Sequence, residues 1–231
     1  MATEKKTVEK KATPKAETKA EAKVIPKKVT KSSGDIKLFN RWSSSEVFVE
    51  DLVLQAYINV KPIVVPRTNG YYNNTPFYKT KLHIVERLMN RIQVTGHKGK
   101  KHKFSTGHNT GKAKRITAMM IEILETLEKR TKSNPIQVIV KAIENAAPRE
   151  EVITIERSGA RYAQAVDMAP TRRVDLVLRY ICQGAAQKAF NKSTSLKDAL
   201  VEEIMDCFSA GGKSQAMSKR NEIEKMAASA K

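Results

Sequence analysis

The sequence predicts a mainly α protein: a helical bundle of about six helices with a protruding β-hairpin arm and a disordered basic N-terminal tail. Three observations carry this. From Lys81 onward apolar residues recur at three- and four-residue steps, the spacing that places one stripe on one face of a helix. The segment at about 151–168 is β-branched and aromatic-rich around Ser158-Gly159 and breaks that rhythm. Residues 1–36 hold ten Lys, five acids and no aromatic residue, too little apolar surface to offset the entropy of ordering.

The tail is a Lys/Glu/Ala-rich mixture in which Pro14 and Pro26 interrupt any helix. Two readings of it stand: a solvated tail adding solubility and loose attraction, or a segment that orders partly on a polyanion. The helical domain is expected over 37–231. Phe39 and Trp42 mark the start of packed structure. A short helix is expected around Leu52–Tyr57, an extended stretch from Lys61 to Pro66, and a loop rich in Asn and Tyr over 67–79.

Leu82, Val85, Leu88, Met89 and Ile92 predict a helix of about 80–94. Ile116, Met119, Met120, Ile123, Leu124 and Leu127 fit a second, longer helical stripe. Asn134-Pro135 reads as an N-cap followed by proline at the first helical position. That helix carries Ile136, Ile139, Val140 and Ile143 and stops before Pro148. Helices from about Pro170 to Phe190 and Ser195 to Ser209 follow. Gly211-Gly212 is expected to end the latter, and Ser214 to cap a final, more polar helix. A two-residue turn at Ser158-Gly159 would set Glu156 opposite Arg161 and Ile155 opposite Tyr162. Neither strand alternates cleanly, so the hairpin has little to bury and is expected to project.

The charge balance narrows the function. Over 231 residues, 43 Lys and Arg face 24 Asp and Glu, a net charge of +19. Such an excess points to a polyanionic partner, because neutralising phosphates releases condensed counterions. No run approaches the ~18–20 apolar residues that span a bilayer, so no membrane partner is expected. The N-terminus lacks the apolar region of a secretory signal and carries Glu without Arg, unlike a mitochondrial transit peptide. Cys182 and Cys207 cannot make a disulfide framework, which suits a reducing compartment.

The sharpest basic cluster runs from Thr95 to Arg115. It has seven Lys and Arg, three His, four Gly and no carboxylate. Nothing within it offsets the mutual repulsion of its cations, and Gly111-Lys112 lies where a helix begins, a position that favours phosphate. His97, His102 and His108 lack a metal-site spacing and an accompanying Cys, so no metal is expected. Gly111-Lys112 lacks the other residues of a Walker loop. No carboxylate pair, nucleophile set or cofactor box stands out, so neither catalysis, cofactor nor small-molecule substrate is expected. A second basic group, Arg149, Arg157, Arg161, Arg172 and Arg173, surrounds the hairpin, and arginine suits bidentate phosphate contact. Arg172-Arg173 opens a helix against its dipole, which suggests that a partner's negative charge resolves the conflict.

Asn134-Pro135-Ile136-Gln137-Val138 leading into 142–150 (AIENAAPRE) resembles the third helix of the universal small-subunit ribosomal protein seven family. Gly111-Lys112 at a helix start, the hairpin entering 169–174 (APTRRV), and Ala185 to Phe190 carry the same resemblance, over about residues 38–229. Trp42 and the long His/Lys loop are similar to the archaeal and eukaryotic branch. One departure is Ala113, where the family often places a second basic residue. The resemblance implies a non-enzymatic constituent of the cytoplasmic small subunit. It would bind the 3′ major domain of small-subunit RNA, help nucleate head assembly, neighbour other head and platform proteins, and reach toward the exit-site transfer RNA and messenger RNA exit path. Lys98, Lys100, Lys101, Lys103, Lys112, Lys114, Arg115, Arg149, Arg172, Arg173, Lys219 and Arg220 would meet RNA. Arg157, Ser158, Gly159, Arg161 and Tyr162 would form the arm's tip. A basic chromatin-type DNA-binding protein is the rival reading.

Overall fold

Capping side chains fix where most helices begin. In the computed structural model, which describes residues 36–95 and 107–231, four of the six long helices start at a side chain that accepts from a free first-turn amide. His83 Nδ1 accepts from Val85 N at the start of α2 (Ile84–Gln93). Asn134 accepts from Ile136 N at the start of α4 (Pro135–Ala146). Ser195 and Ser214 do the same for α6 (Leu196–Phe208) and α7 (Gln215–Ser229). The other two lack a side-chain cap: α5 (Pro170–Ala189) begins on its proline, and α3 (Ala113–Thr131) begins at Lys112. A four-residue helix, α1 (Leu52–Gln55), and a 3₁₀ turn (Tyr78–Thr80) precede them.

The apolar stripes meet in one core. α5 lies against α1, α2, α4, α6 and α7, while α3 packs on α2, α4 and α6. Ile123, Leu124 and Leu127 of α3 are buried with Ile139 and Ile143 of α4, Val177 and Ile181 of α5, and Leu200 and Ile204 of α6. Each such side chain contributes roughly 1.5–3 kcal/mol on burial. That is enough for the core to hold the fold while the surface remains strongly cationic.

Two details were not anticipated from sequence. β1 (Lys37–Leu38) and β2 (Trp42–Ser43) form a small antiparallel hairpin through left-handed Phe39 and Asn40. It is stapled to α3 by the Trp42 indole, whose Nε1 donates to Glu128 at 2.9 Å. With only two residues a strand, it presents no alternation to detect. At the end of α6 the left-handed residue is Ala210 (φ 54°), not a glycine. Gly211 N instead closes back on Asp206 O at 2.8 Å.

The arm follows its expected register. β3 (Glu150–Arg157) and β4 (Ala160–Asp167) pair antiparallel, with Glu156 opposite Arg161 and Ile155 opposite Tyr162. Ser158 (φ 51°) and Gly159 (φ 80°) are both left-handed, as a two-residue turn matching the strand twist requires. The root is tied to α7 and the residues just after it: Arg149 N donates to Glu224, and Lys231, beyond the helix end, pairs with Glu150 at 2.7 Å. Most of β4 beyond that root is exposed.

Candidate nucleic-acid interface

At the start of α3 three cations stand without an ion-paired carboxylate among the described residues. Gly111 (φ +73°) turns the chain, and Lys112, Lys114 and Arg115 are all exposed. No acid lies in the first turn. The helix dipole and the exposed amides there favour negative charge, and three cations add to that potential instead of cancelling it. Arg115 Nη1 lies 3.3 Å from His108 Nε2. Arg67, from the loop after the extended segment, joins Lys112, Lys114 and Arg115 around a shallow open depression. Lys98, Lys100, Lys101 and Lys103 lie outside the described residues, as do His97 and His102.

α5 carries the same sequence signal and solves it differently. Arg172 donates to Glu151 on the arm's root, through Nε at 3.0 Å and Nη2 at 2.7 Å, while remaining half exposed. Arg173 is buried: Nε donates to Pro148 O at 2.9 Å and Nη2 to Asp51 at 3.1 Å. The expectation that Arg173 meets RNA is therefore corrected. Its conflict with the helix dipole is resolved within the chain, and its guanidinium holds α1, the end of α4 and α5 together. Arg172 is also matched by an internal carboxylate but keeps an accessible face.

The remaining expected residues divide by position. Arg149 is exposed at the arm's root, where its carbonyl accepts from Met168 N. At the tip, Arg161 lies 3.5 Å from Glu156, both largely exposed. Tyr162 is 58% exposed, an aromatic face that no core claims. Ser158 and Gly159 form the turn, and Arg157 ends β3. On α7, Lys219 pairs with Glu222, while Arg220 donates to Asn145 O and approaches Glu224. Arg220 thus fastens α7 to the end of α4 and leaves less of its charge for a partner.

Sequence reasoning missed a second cationic recess. Lys79, Arg87, Arg91 and Arg179 line a cleft of about 180 Å³ with one carboxylate, Asp175. Burial pushes the Asp175 carboxyl up, but hydrogen bonds and charge from Lys79 and Arg87 outweigh it and hold it below the usual value. Burial and the like charge of Arg179 pull the Arg91 guanidinium down. Arg91 belongs to α2 and Arg179 to α5, 88 positions along the chain. Cations scattered along two amphipathic helices so far apart in the chain give no sequence sign of meeting.

Other chemistry has little foothold. Burial pushes the Cys182 and Cys207 thiols up to about 12, so neither forms a thiolate near neutral pH. Among the described residues no cluster of His, Cys, Asp or Glu is arranged to hold a metal ion, and no helix is long and apolar enough to cross a membrane.

The fold and these surfaces define a basic helical domain with a β-hairpin arm, with cations gathered at one helix start, in one inter-helix cleft and along the arm. The chain belongs to the family described as Ribosomal protein S7p/S5e, whose family model matches residues 54–231. It is 48% identical over 196 residues to the small ribosomal subunit protein uS7 of Nanoarchaeum equitans, covering 85% of this chain and 99% of that relative. The uS7 proteins of Methanosphaera stadtmanae (43% identical; 84% and 98% covered) and Archaeoglobus fulgidus (39%; 85% and 96%) are similar along nearly the same length.

Proposed function

We propose that this chain is a structural, non-enzymatic constituent of the small ribosomal subunit in the cytoplasm. It binds the 3′ major domain of small-subunit RNA in the head, helps nucleate head assembly beside other head and platform proteins, and extends its hairpin toward the exit-site transfer RNA and messenger RNA exit path. Family membership and the names of the relatives support the subunit role. The RNA role rests above all on the start of α3, where Lys112, Lys114 and Arg115 crowd a helix N-terminus that carries no acid and no side-chain cap. Folded RNA supplies the negative charge that this arrangement lacks, and phosphate contacts from several surfaces recognise shape more than sequence. The 1–36 tail, with ten Lys against five acids, adds long-range attraction to the same partner.

The test is a salt titration of binding to the RNA of the head domain, with duplex DNA as competitor. If ~8 phosphates are neutralised, log affinity falls against log salt with a slope near −7. Substituting Lys114 with Ala should flatten that slope by about 0.7–0.9, the loss of one phosphate contact. A slope near zero, or a preference for the duplex DNA, overturns the reading.

A further inference from the structure

Between the two cationic recesses lies a half-open cleft of about 380 Å³, within the size range of small-ligand sites. Leu82, Met89 and Ile116 supply buried apolar surface, and Asn69, Asn73 and Asn90 supply polar rim. Glu86 also lines it and is only 4% exposed. Its Oε1 accepts from both the N–H and the hydroxyl of Thr68, at 2.7 Å each. Its Oε2 is buried and has no partner among the described residues. A buried carboxylate oxygen left unpaired is costly, and the cleft beside it is the place from which a donor could come. The cleft shares Arg67 and Ala113 with the depression at the start of α3, and Tyr78, Leu82 and Asn90 with the cleft of Arg91 and Arg179. Cationic side chains therefore flank it on both sides.

We propose that this cleft receives one unstacked nucleobase bearing an exocyclic amino group, whose N–H donates to Glu86 Oε2 while the flanking backbone phosphates lie toward Arg67 and the start of α3. The inference rests on the RNA-binding reading and adds a base-selective site to it. The flat apolar side takes the ring face, and the carboxylate accepts from adenine, cytosine or guanine. Uracil has no amino group, and its single N3–H sits between two carbonyl oxygens, so donating it to Oε2 sets a carbonyl oxygen against the carboxylate and weakens the contact. Gly70 (φ +82°) keeps the loop wall close: a Cβ there would meet Asn73 Nδ2 at 3.1 Å.

The full-length chain is titrated with the single-stranded pentamers UUNUU, N being A, C, G or U, by fluorescence anisotropy. The expected result is at least fivefold tighter binding when N is A, C or G than when it is U. In Glu86→Gln one side-chain oxygen remains for Thr68 and an amide donor stands in place of Oε2, so the order should collapse or invert toward uracil. A purely structural role for Glu86 would weaken all four alike. Should Glu86→Gln fail to fold, Thr117→Met fills the cleft from α3, leaves Glu86 in place and carries the expectation of lost discrimination. Equal affinity for all four pentamers in the native chain, or an order that neither substitution alters, overturns the proposal. The salt slope on head-domain RNA, measured in parallel, fails independently of this result, so loss of the base site and loss of the RNA reading are told apart.

Discussion

Arg173 Nη2 lies 3.1 Å from Asp51 Oδ2, a contact joining residues 122 positions apart. Asp51 also caps α1, its side chain accepting from Val53 N. One carboxylate therefore starts a short helix and neutralises the cation at the start of a long one. The neighbouring Arg172 pairs with the arm instead. Two adjacent arginines thus serve different parts of the fold.

This division predicts unequal mutational costs. Replacing Arg173 with Met strands the Asp51 carboxylate, partly buried, and leaves Pro148 O without its donor. The expected loss is about 3 kcal/mol of folding stability, the scale for breaking a buried pair. Replacing Arg172 with Ala removes a solvent-screened pair and should cost less than about 1 kcal/mol. Urea denaturation of both variants decides; equal losses would refute the assignment.

The cap of α2 predicts a pH dependence. His83 is 1% exposed, its Nε2 is buried without a partner among the described residues, and burial lowers its pKa from 6.5 to about 4. Between those values the unfolded chain binds the proton and the folded chain does not. Stability is therefore full above about pH 6.5 and falls as pH drops toward 4. His83→Asn keeps a capping oxygen and removes the titration. The native chain should lose roughly 3 kcal/mol more than the variant between pH 7 and 4, measured by denaturation at each pH. Parallel losses would contradict this.

Close approach of three helices makes a glycine on α5 sensitive. A Cβ at Gly184 would stand 2.8 Å from Glu203 Cδ and 2.9 Å from Gln215 Cβ. Glu203 is fully buried, accepting from Ser214 Oγ and Gln215 N while Lys188 Nζ lies 3.1 Å from its other oxygen. Alanine in a helix interior normally gains up to ~1 kcal/mol over glycine. Here overpacking at ~1–3 kcal/mol should win and lower the melting temperature of Gly184→Ala. A rise would show that α6 and α7 can move aside.

The arm predicts a separation of roles. Deleting 155–162 removes the outer rungs and leaves the root held by Arg149, Glu224, Glu150 and Lys231. Melting and head-RNA affinity should change little, whereas handling of ligands at the exit site should be disturbed in reconstituted subunits. Collapse of the whole domain on deletion would make the arm part of the core.

The helices were legible because their signals are local. Asn134-Pro135, Ser195 and Ser214 act within three residues, and the stripe from Ile116 to Leu127 repeats at the helical step. The Ser158-Gly159 turn set the arm's register for the same reason. Ala210 evaded this reading: the adjacent glycines suggested the left-handed position, but closure of the α6 end on Asp206 placed it one residue earlier.

The amino-acid sequence by itself determined the helical class, the projecting hairpin and the cationic excess, since periodicity, turn chemistry and net charge need no partner in space. Only the tertiary structure decided which cations face outward. Arg173 turned inward because Asp51 and Pro148 O, far away in the chain, meet it there, while Arg91 and Arg179 came together because α2 and α5 share the core. Glu86, an ordinary helical acid in the sequence, became an unmatched acceptor beside a cleft for the same reason: electrostatic fate depends on distance and desolvation, and folding sets both.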